Sequence, residues 1–370
     1  MRKPWTPAAP CTSEKRRTAV DSEASTAVWA LNAKGCDLGR SLTSRLNATL
    51  FVPQKHLRCE SERSFQGFAQ TFAAQFRCFR RHVCIAATGI VVRCVAPVLN
   101  SKTTDPAVVV LDQDGRHVIS LLGGHMGGAN ALAEEVARMT NGEAVITTAT
   151  DTEGLPALDL LARDLNLAPH PPRLLKTVVA AMLDKDSVQL WDPEDRLRPS
   201  IRMSGHEAHF TPVDNPSQWQ NAQPGIWVSW RNDAPGDAPF TLCLHPRCLV
   251  AGLGCHRGVA GADVLRFIET VFAQSGLALQ SLAALGTIRS RAGEAGVREA
   301  LDVLQVDAAF FSAEELAGVS TPHPSAVARR LIGTASVCEA AALLLGGTSP
   351  LLVPKVKGDG LTLAVARKDV

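Results

Sequence analysis

A strand, a glycine-rich turn, a helix and a second strand follow one another within residues 118–151, and no other stretch constrains the fold as strongly. The apolar run over 118–122 predicts the first strand. From Ala129 onward, apolar residues recur at the spacing of a helix that packs on a sheet. Asn141 and the glycine after it predict the end of that helix, and the β-branched run over 144–149 predicts the second strand. Strands and helices that alternate in this way predict an α/β fold.

The turn reads Gly-Gly-His-Met-Gly-Gly over residues 123–128. Residues without a Cβ adopt positive φ and let a ligand approach backbone N–H groups, which favour an anion at a helix N-terminus. Tight packing without any ligand explains such a turn equally well. The turn lacks the lysine and hydroxyl residue that end a P-loop, and its glycines lack the dinucleotide spacing. The binding candidates in and after the turn are Gly123, Gly124, Gly127, Gly128, Asn130 and Thr148.

The composition argues against several classes of protein. A formal charge of +2 over 370 residues provides no basic field for nucleic acid. No run approaches the ~20 apolar residues that cross a bilayer, so we expect no membrane partner. The ten cysteines include no Cys-x-x-Cys pair, which disfavours zinc and redox motifs and predicts reduced, mostly buried thiols. We find no signal peptide and expect a cytoplasmic protein.

Changes in composition along the chain predict four parts. Residues 1–25 are polar and aperiodic and predict a disordered extension. Residues 26–168 and 247–370 alternate strand and helix patterns, and we expect a three-layer α/β/α domain from each. Residues 169–246 are rich in proline and tryptophan and predict a small mixed linking domain. The expected fold is therefore α/β, with two three-layer α/β/α domains joined by a small mixed linking domain.

Two glycine turns in the N-terminal domain follow predicted strands. The strand over 82–86 leads to Gly89, and the strand over 118–122 leads to Gly123. We expect both turns at one edge of a parallel sheet, where open α/β proteins bind ligands. Residues 108–122 also predict a hairpin.

Several separated motifs, in the same order along the chain, resemble the cobalt-precorrin-5A hydrolase family of the anaerobic cobalamin pathway. Besides the glycine turn, the motifs in the N-terminal part are Ala87–Arg93, Lys102, Asp105–Ala107, Ile146–Asp151 and Asp159. The motifs in the C-terminal part are Gly252–Cys255, Arg257 with Gly258, Glu294–Gly296, Phe311–Glu314, Val337–Ala341 and Leu352–Lys357. His256 and Arg291 depart from the family pattern, which has a second basic residue and a lysine at these positions.

The resemblance implies an enzyme that opens the ring A lactone of cobalt-precorrin-5A and releases the C20 two-carbon unit as acetaldehyde, leaving cobalt-precorrin-5B. The substrate carries the cobalt, so the resemblance implies neither a cofactor nor a metal site of the protein. Opening a lactone requires water, a base and donors for the developing oxyanion. Breaking the C–C bond then requires a base and an acid. The substrate is a cobalt-containing tetrapyrrole, which is a flat apolar disc rimmed with carboxylates.

The family motifs contain groups suited to this chemistry. The acid and base candidates are His125, Asp151, Glu294 and Glu339. Histidine titrates near neutral pH unaided, and burial of Glu339 would raise its pKa toward that range. A turn hydrogen bond, a helix cap or a solvated helix face is the structural alternative for these residues. The candidates for holding the macrocycle and its carboxylates are Gly89, Arg93, Lys102, Gly254, Arg257 and Lys355, of which Arg93 and Lys355 are expected within apolar strands.

Two other classes of function remain open from the sequence. The same glycines and cations suit a carrier that binds a corrinoid or tetrapyrrole without transforming it. A phosphate- or nucleotide-binding protein is the third interpretation. The sequence also leaves open whether the chain forms a homodimer, and whether it makes transient contact with neighbouring enzymes of the cobalamin pathway.

Overall fold

The computed structural model describes residues 25–101, 104–125, 127–235, 239–347 and 349–368, with the backbone alone at 151 and 152. The predicted extension therefore lies outside the described residues, apart from Ser25, and so does Lys102. The described residues form two compact units, the first ending at Ala157 and the second beginning at Leu158. Within the described residues, no helix is both long and apolar enough to cross a membrane.

The first unit is built on one seven-stranded sheet with the strand order β3-β2-β1-β4-β5-β6-β7. Its elements are β1 (Thr26–Ala30), α1 (Ala33–Leu46), β2 (Thr49–Pro53), β3 (Arg63–Phe65), α2 (Phe68–Gln75), β4 (Arg81–Ile85), α3 (Thr88–Val95), β5 (Ala107–Leu111), β6 (His117–Leu122), α4 (Ala129–Thr140), β7 (Glu143–Val145) and α5 (Ala149–Thr152). Strands β1 to β5 are parallel, whereas β6 runs antiparallel to β5 and β7 runs parallel to β6.

The core of this unit lies on both faces of the sheet, because successive side chains of a strand point to opposite faces. Val28 and Val83 pack with apolar residues of α1 and α4. Their neighbours Trp29 and Cys84 pack on the other side with residues of α2 and α3. Strands buried on both faces explain the nearly continuous apolar runs in the sequence.

The hairpin of β5 and β6 reverses the chain, and it overturns one prediction. Leu122, the last residue of β6, pairs with Val108 near the start of β5. Gly123 therefore lies at the edge of the sheet where β4 and β5 begin. Gly89 follows the end of β4, at the opposite edge. The prediction that both glycine turns share one edge is wrong, because β6 runs antiparallel to β4.

Two local predictions in this unit also need correction. The strand expected over 144–149 ends at Val145, because β7 pairs with β6 over three residues and the chain then leaves the sheet for α5. Arg93 was expected in an apolar strand but lies on α3, where its side chain is exposed. The helix predicted to begin at Ala129 does begin there.

The second unit contains two five-stranded sheets, with the orders β10-β9-β11-β12-β8 and β15-β14-β13-β17-β16. Its elements are α6 (Leu158–Asp164), β8 (Leu167–His170), α7 (Leu174–Leu183), β9 (Val188–Trp191), α8 (Arg198–Met203), β10 (Phe210–Pro212), β11 (Gly225–Val228), β12 (Thr241–Pro246), β13 (Leu249–Cys255), α9 (Gly261–Gln274), β14 (Leu282–Ile288), α10 (Ala295–Leu304), β15 (Asp307–Phe311), α11 (Ala313–Ala317), α12 (Ala326–Ile332), α13 (Val337–Gly346), β16 (Leu351–Gly358) and β17 (Leu361–Arg367). Three sheets with interleaved helices confirm the α/β fold class.

The predicted boundary between residues 168 and 169 falls inside β8. This strand pairs antiparallel with β12, from Leu167 opposite Pro246 to His170 opposite Cys243. Residues 167 and 168 therefore belong to the middle sheet and not to the N-terminal domain. The proline that follows His170 hid this strand in the sequence, because proline usually marks an edge or the end of a strand.

Helix α13 lies close against the last sheet at positions without side chains. A Cβ atom on Gly252 would lie 1.9 Å from the carbonyl oxygen of Cys338. A Cβ atom on Gly286 would lie 3.3 Å from the Cβ of Ala341. The small residues on both surfaces thus bring the first turns of α13, including Glu339, directly onto the sheet.

Candidate functional site

Hydrogen bonds close the glycine turn of the first unit on itself. The backbone amides of residues 128–130 donate to the carbonyl oxygens of residues 123–125 over distances of 2.9 to 3.0 Å. These amides stand at the start of α4, where a helix ordinarily leaves its N–H groups without partners. The turn itself therefore satisfies these three amides, and their role in binding an anion stays a prediction.

Close packing explains three of the four glycines. A Cβ on Gly127 would lie 2.6 Å from the carbonyl oxygen of Gly123, and Gly123 itself has a φ of +73°. A Cβ on Gly124 would lie 2.9 Å from Oδ1 of Asn130. Gly128 differs, since it has a φ of +81° and nothing within 4 Å of the position of a Cβ. Only Gly128 leaves open space beside the backbone.

Polar side chains around the turn contact one another. The hydroxyl of Ser120 donates to Oδ1 of Asn130 at 2.6 Å, and Nδ2 of Asn130 donates to Oγ1 of Thr148 at 3.2 Å. Nε2 of His125 lies 3.0 Å from Oγ1 of Thr150. The structure therefore pairs the predicted residues Asn130 and Thr148, and it pairs His125 with Thr150. Ser120 was not predicted, although a serine within an otherwise apolar strand could have indicated a polar contact there.

The remaining candidates of the first unit lie elsewhere. The guanidinium of Arg93 donates to the carbonyl oxygen of Gly89 at 2.7 Å, one helical turn back. Gly89 lies at the sheet edge opposite the glycine turn, so the structure does not join these two groups. Asp151 lies in α5, but its side chain is outside the description, as is the whole of Lys102.

Glu339 forms the centre of a second polar cluster, in the second unit. Its side chain is fully buried in the first turn of α13. Its Oε2 accepts a hydrogen bond from the backbone amide of His323 at 3.1 Å. Its Oε1 accepts from the amide of Lys355 at 3.2 Å and lies 2.8 Å from Nδ1 of His323. The carboxylate therefore has partners on both oxygens.

These partners reverse the expected titration of Glu339. Burial alone would raise the pKa of the carboxyl. The imidazole of His323, the amides of Lys355 and His323, and the Lys355 ammonium outweigh burial and hold the pKa of Glu339 below its usual value. The prediction of a raised pKa is wrong, because it considered burial without hydrogen bonds. Glu339 stays ionised near neutral pH and does not donate a proton there.

The sequence analysis missed His323. It stands between two prolines in a segment without regular structure, and its side chain is 58% exposed. The feature of the sequence that could have identified it is its position between two prolines, which restrict the backbone, just before the serine that caps α12. No motif in the sequence connected it with Glu339, sixteen positions later.

Glu294 ties together the loop after β13. Its carboxylate accepts a hydrogen bond from the amide of Gly258 at 3.1 Å and from Arg291 at 3.4 Å. Arg291 also donates to the carbonyl oxygen of Cys255 at 3.1 Å. Arg257 is exposed in the loop that Glu294 and Arg291 hold. The contacts of Glu294 are those of a loop anchor.

The other two C-terminal candidates are positioned by packing. A Cβ on Gly254 would lie 2.4 Å from Oγ1 of Thr362 on the neighbouring strand, so a side chain at this position would have to displace that hydroxyl. The ammonium of Lys355 donates to the carbonyl oxygen of His323 and lies 3.4 Å from Oγ of Ser336. Lys355 is thus a member of the Glu339 cluster.

No group of three or more His, Cys, Asp or Glu side chains among the described residues is arranged to hold a metal ion. The described cysteines are free thiols, and five of them are buried. Burial raises the pKa of the Cys255 thiol, which lies nearest to the loop of Arg257.

Three family models match successive parts of the chain. They are Cobalamin synthesis G N-terminal over residues 70–151, Cobalamin biosynthesis central region over 156–246 and Cobalamin synthesis G C-terminus over 249–366. The central match begins at residue 156, before β8, which agrees with the placement of β8 in the middle sheet.

Two curated proteins match over nearly their whole length. The cobalt-precorrin-5A hydrolase of Salmonella typhimurium is 36% identical over 345 residues, which cover 92% of this chain and 97% of that protein. The cobalt-precorrin-5A hydrolase of Priestia megaterium is 27% identical over 375 residues, with coverages of 95% and 97%. A crystal structure of a cobalamin biosynthesis protein G homolog from Sulfolobus solfataricus aligns over 93% of this chain and 97% of its own, at 21% identity and a TM-score of 0.34.

Proposed function

The chain belongs to the cobalamin synthesis G family, and from this membership we infer that it is a cobalt-precorrin-5A hydrolase. The observation that carries the inference is its 36% identity to the Salmonella enzyme over nearly the whole of both chains. The reaction opens the ring A lactone of cobalt-precorrin-5A and releases the C20 two-carbon unit as acetaldehyde. Its other product is cobalt-precorrin-5B, an intermediate of cobalamin biosynthesis.

We propose that His125 transfers a proton in this reaction. Its Nε2 lies 3.0 Å from the hydroxyl of Thr150, which can donate or accept a hydrogen bond. The imidazole therefore keeps this partner whether Nε2 carries a proton or not. Such a pair suits a reaction in which a base must first take a proton and an acid must later return one.

The surfaces around α12 and Arg257 suit the substrate. Val327 and Leu331 of α12 are 59% and 70% exposed, and Arg329 and Arg330 stand in its last turn. We propose that the apolar pair contacts the face of the tetrapyrrole, and that the arginines and the exposed Arg257 meet its carboxylates. This proposal explains why the large apolar side chains of α12 are exposed to solvent beside arginines.

The proposed reaction uses no cofactor and no metal of the protein, because the addition of water and the bond cleavages that follow need only proton transfers. Cobalt enters and leaves with the substrate. We further propose that the enzyme acts in the cytoplasm, where the free thiols of the described cysteines remain reduced.

Release of acetaldehyde from cobalt-precorrin-5A tests the function. The purified protein is incubated with this substrate, and acetaldehyde is measured with a coupled alcohol dehydrogenase. A hydrolase releases one acetaldehyde for each substrate consumed. Tight binding of the tetrapyrrole without acetaldehyde would instead support a carrier, and nucleotide binding that the tetrapyrrole does not displace would support the third interpretation.

A further inference from the structure

The imidazole of His323 has one nitrogen held by a buried carboxylate. Nδ1 lies 2.8 Å from Oε1 of Glu339, and the side chains are 58% and 0% exposed, respectively. An ionised carboxylate only accepts hydrogen bonds, so the proton of the neutral imidazole is on Nδ1. Nε2 then keeps its lone pair. The arrangement is a base oriented by a carboxylate behind it.

The backbone of His323 is held in place as well as its ring. The backbone amide of His323 donates to Glu339, and the ammonium of Lys355 donates to the carbonyl oxygen of the same histidine. Pro322 and Pro324 restrict the backbone on either side. A residue that served only to fill an exposed loop would not need this support. Fixed orientation is what proton transfer requires of a catalytic group.

We propose that His323 is the base that activates water to open the lactone, with Glu339 as its positioning residue. This proposal rests on the proposed function. As the water oxygen bonds to the lactone carbonyl carbon, Nε2 takes one of its protons. The tetrahedral intermediate then breaks its bond to the ring oxygen, which takes the proton back from the imidazolium. The products of this step are a free carboxylic acid and a hydroxyl group, and the imidazole is again neutral.

Glu339 does not perform this step itself. Its carboxylate is completely buried, and its two oxygens already accept hydrogen bonds from His323 and Lys355. Among the described residues, two charged groups contact His323, the Glu339 carboxylate and the Lys355 ammonium. Lys355 binds the carbonyl side of the residue, whereas Glu339 bonds the ring directly.

Three variants of the full-length enzyme test this role. His323→Ala is expected to lower kcat by at least ~100-fold, the ordinary contribution of a general base. Its Kd for cobalt-precorrin-5A, measured from the absorption spectrum, is expected to stay within about threefold. Glu339→Gln keeps a similar shape and is expected to lower kcat less, because it weakens the contact that orients the ring, and to leave the Kd within about threefold. His209→Ala, in the same unit, is the matched control and should retain full turnover.

Two readouts separate catalysis from a structural role. Imidazole added to His323→Ala is expected to restore part of the turnover, because a small base can occupy the vacated space. Mass analysis of the stalled reaction is expected to show the intact lactone.

The outcomes distinguish this proposal from the function on which it rests. If the wild-type enzyme releases acetaldehyde and His323→Ala retains more than half of the turnover, His323 is not the base, although the function stands. Accumulation of the ring-opened acid, heavier by one water, would assign His323 to a later step and overturn the proposal. A wild-type protein that releases no acetaldehyde would overturn the function itself.

Discussion

The indole Nε1–H of Trp29 donates a hydrogen bond of 3.1 Å to Nδ1 of His82, and both side chains are fully buried. Nε2 of His82 lies 3.0 Å from the carbonyl oxygen of Phe76 and must therefore donate to it. The two contacts fix one neutral tautomer. A second proton, on Nδ1 of His82, would point at the indole N–H, so these contacts favour the neutral imidazole.

Stability of the first unit should fall in mild acid because of His82. Burial lowers the pKa of His82 from 6.5 to about 4, against the hydrogen bond to Phe76, which raises it. The unfolded chain binds a proton below pH 6.5, and the folded chain does not until about pH 4. Stability is therefore complete above pH 6.5 and declines as the pH falls toward 4, by ~3 kcal/mol.

Hydrogen exchange of peptides from β1 and β4 measures this loss, after correction for the intrinsic pH dependence of exchange. In His82→Gln the protection should be lower at pH 7 but should change less between pH 7 and pH 4.5. The exposed His117→Ala variant should follow the wild type. Equal acid sensitivity of His82→Gln and the wild type would contradict the assignment.

Two neighbouring glycines should respond differently to alanine. In Gly127→Ala the new Cβ meets the carbonyl oxygen of Gly123 at 2.6 Å, which the turn cannot relieve without moving its backbone. We expect a loss of about 2 kcal/mol. In Gly128→Ala nothing lies within 4 Å, and only the left-handed φ of +81° costs energy, about 1 kcal/mol. Urea unfolding of both variants compares them, and a larger loss for Gly128→Ala would contradict the packing argument.

Turnover should depend on His125 but not on His117, a histidine exposed at the start of β6. His125→Ala removes the proposed proton-transfer group and should lower kcat by roughly 100-fold or more. Thr150→Val removes only its hydroxyl partner and should cost about 10-fold, through the orientation of the ring. Acetaldehyde release from cobalt-precorrin-5A measures each effect. Full turnover in His125→Ala would remove this residue from the mechanism.

The close packing of α13 on the last sheet should determine both the stability of the second unit and the position of Glu339. In Gly252→Ala the new Cβ would lie 1.9 Å from the carbonyl oxygen of Cys338, so α13 must move away from the sheet. We expect a loss of at least ~3 kcal/mol, together with weaker turnover, because Glu339 moves with the helix. Gly276→Ala, with a φ of +64° and nothing within 4 Å, is the control and should cost about 1 kcal/mol. Thermal unfolding and acetaldehyde release report the two effects.

Glu194 should stabilise the second unit above pH 4.5. Its carboxylate accepts hydrogen bonds from Trp230 at 2.8 Å and from Arg367 at 3.0 Å. Burial raises the pKa of Glu194, but these partners outweigh it and hold the pKa below 4.5. The stabilisation is present above the unfolded value of 4.5 and is lost as the pH falls through the lower folded value.

Glu194→Gln should therefore destabilise this unit by about 1 kcal/mol at pH 7, since the side chain is one third exposed and solvent weakens the pair. Urea unfolding at pH 7 measures the loss. The matched control is Glu207→Gln, whose pair with Arg202 is 60% and 72% exposed and should contribute at most about 0.5 kcal/mol. Equal effects in both variants would show that burial of Glu194 adds nothing.

Part of the candidate site could be predicted from the sequence because local patterns determine it. The helix after the glycine turn begins at Ala129 as predicted. Tight packing was one of the two explanations of the glycine turn, and the contacts of Gly123, Gly124 and Gly127 support it. These features depend on residues close together in the chain.

The protonation of Glu339 could not be predicted, because burial and hydrogen bonding act on its pKa in opposite directions. Burial was inferred from the apolar neighbours of Glu339 in the sequence. Its partners His323 and Lys355 come from a loop and a strand sixteen residues away on either side. Only the packing of α13 on the sheet brings them to one carboxylate.

The sequence by itself determined the α/β class, the family and the short-range structure of the turns, since side-chain periodicity and the φ preferences of glycine act within a few residues. The tertiary structure decided which turns share an edge and which charges meet. Gly89 and Gly123 lie at opposite edges because a single hairpin reverses β6. Strand direction within a sheet depends on pairing between distant segments, and no local pattern in the chain contains that information.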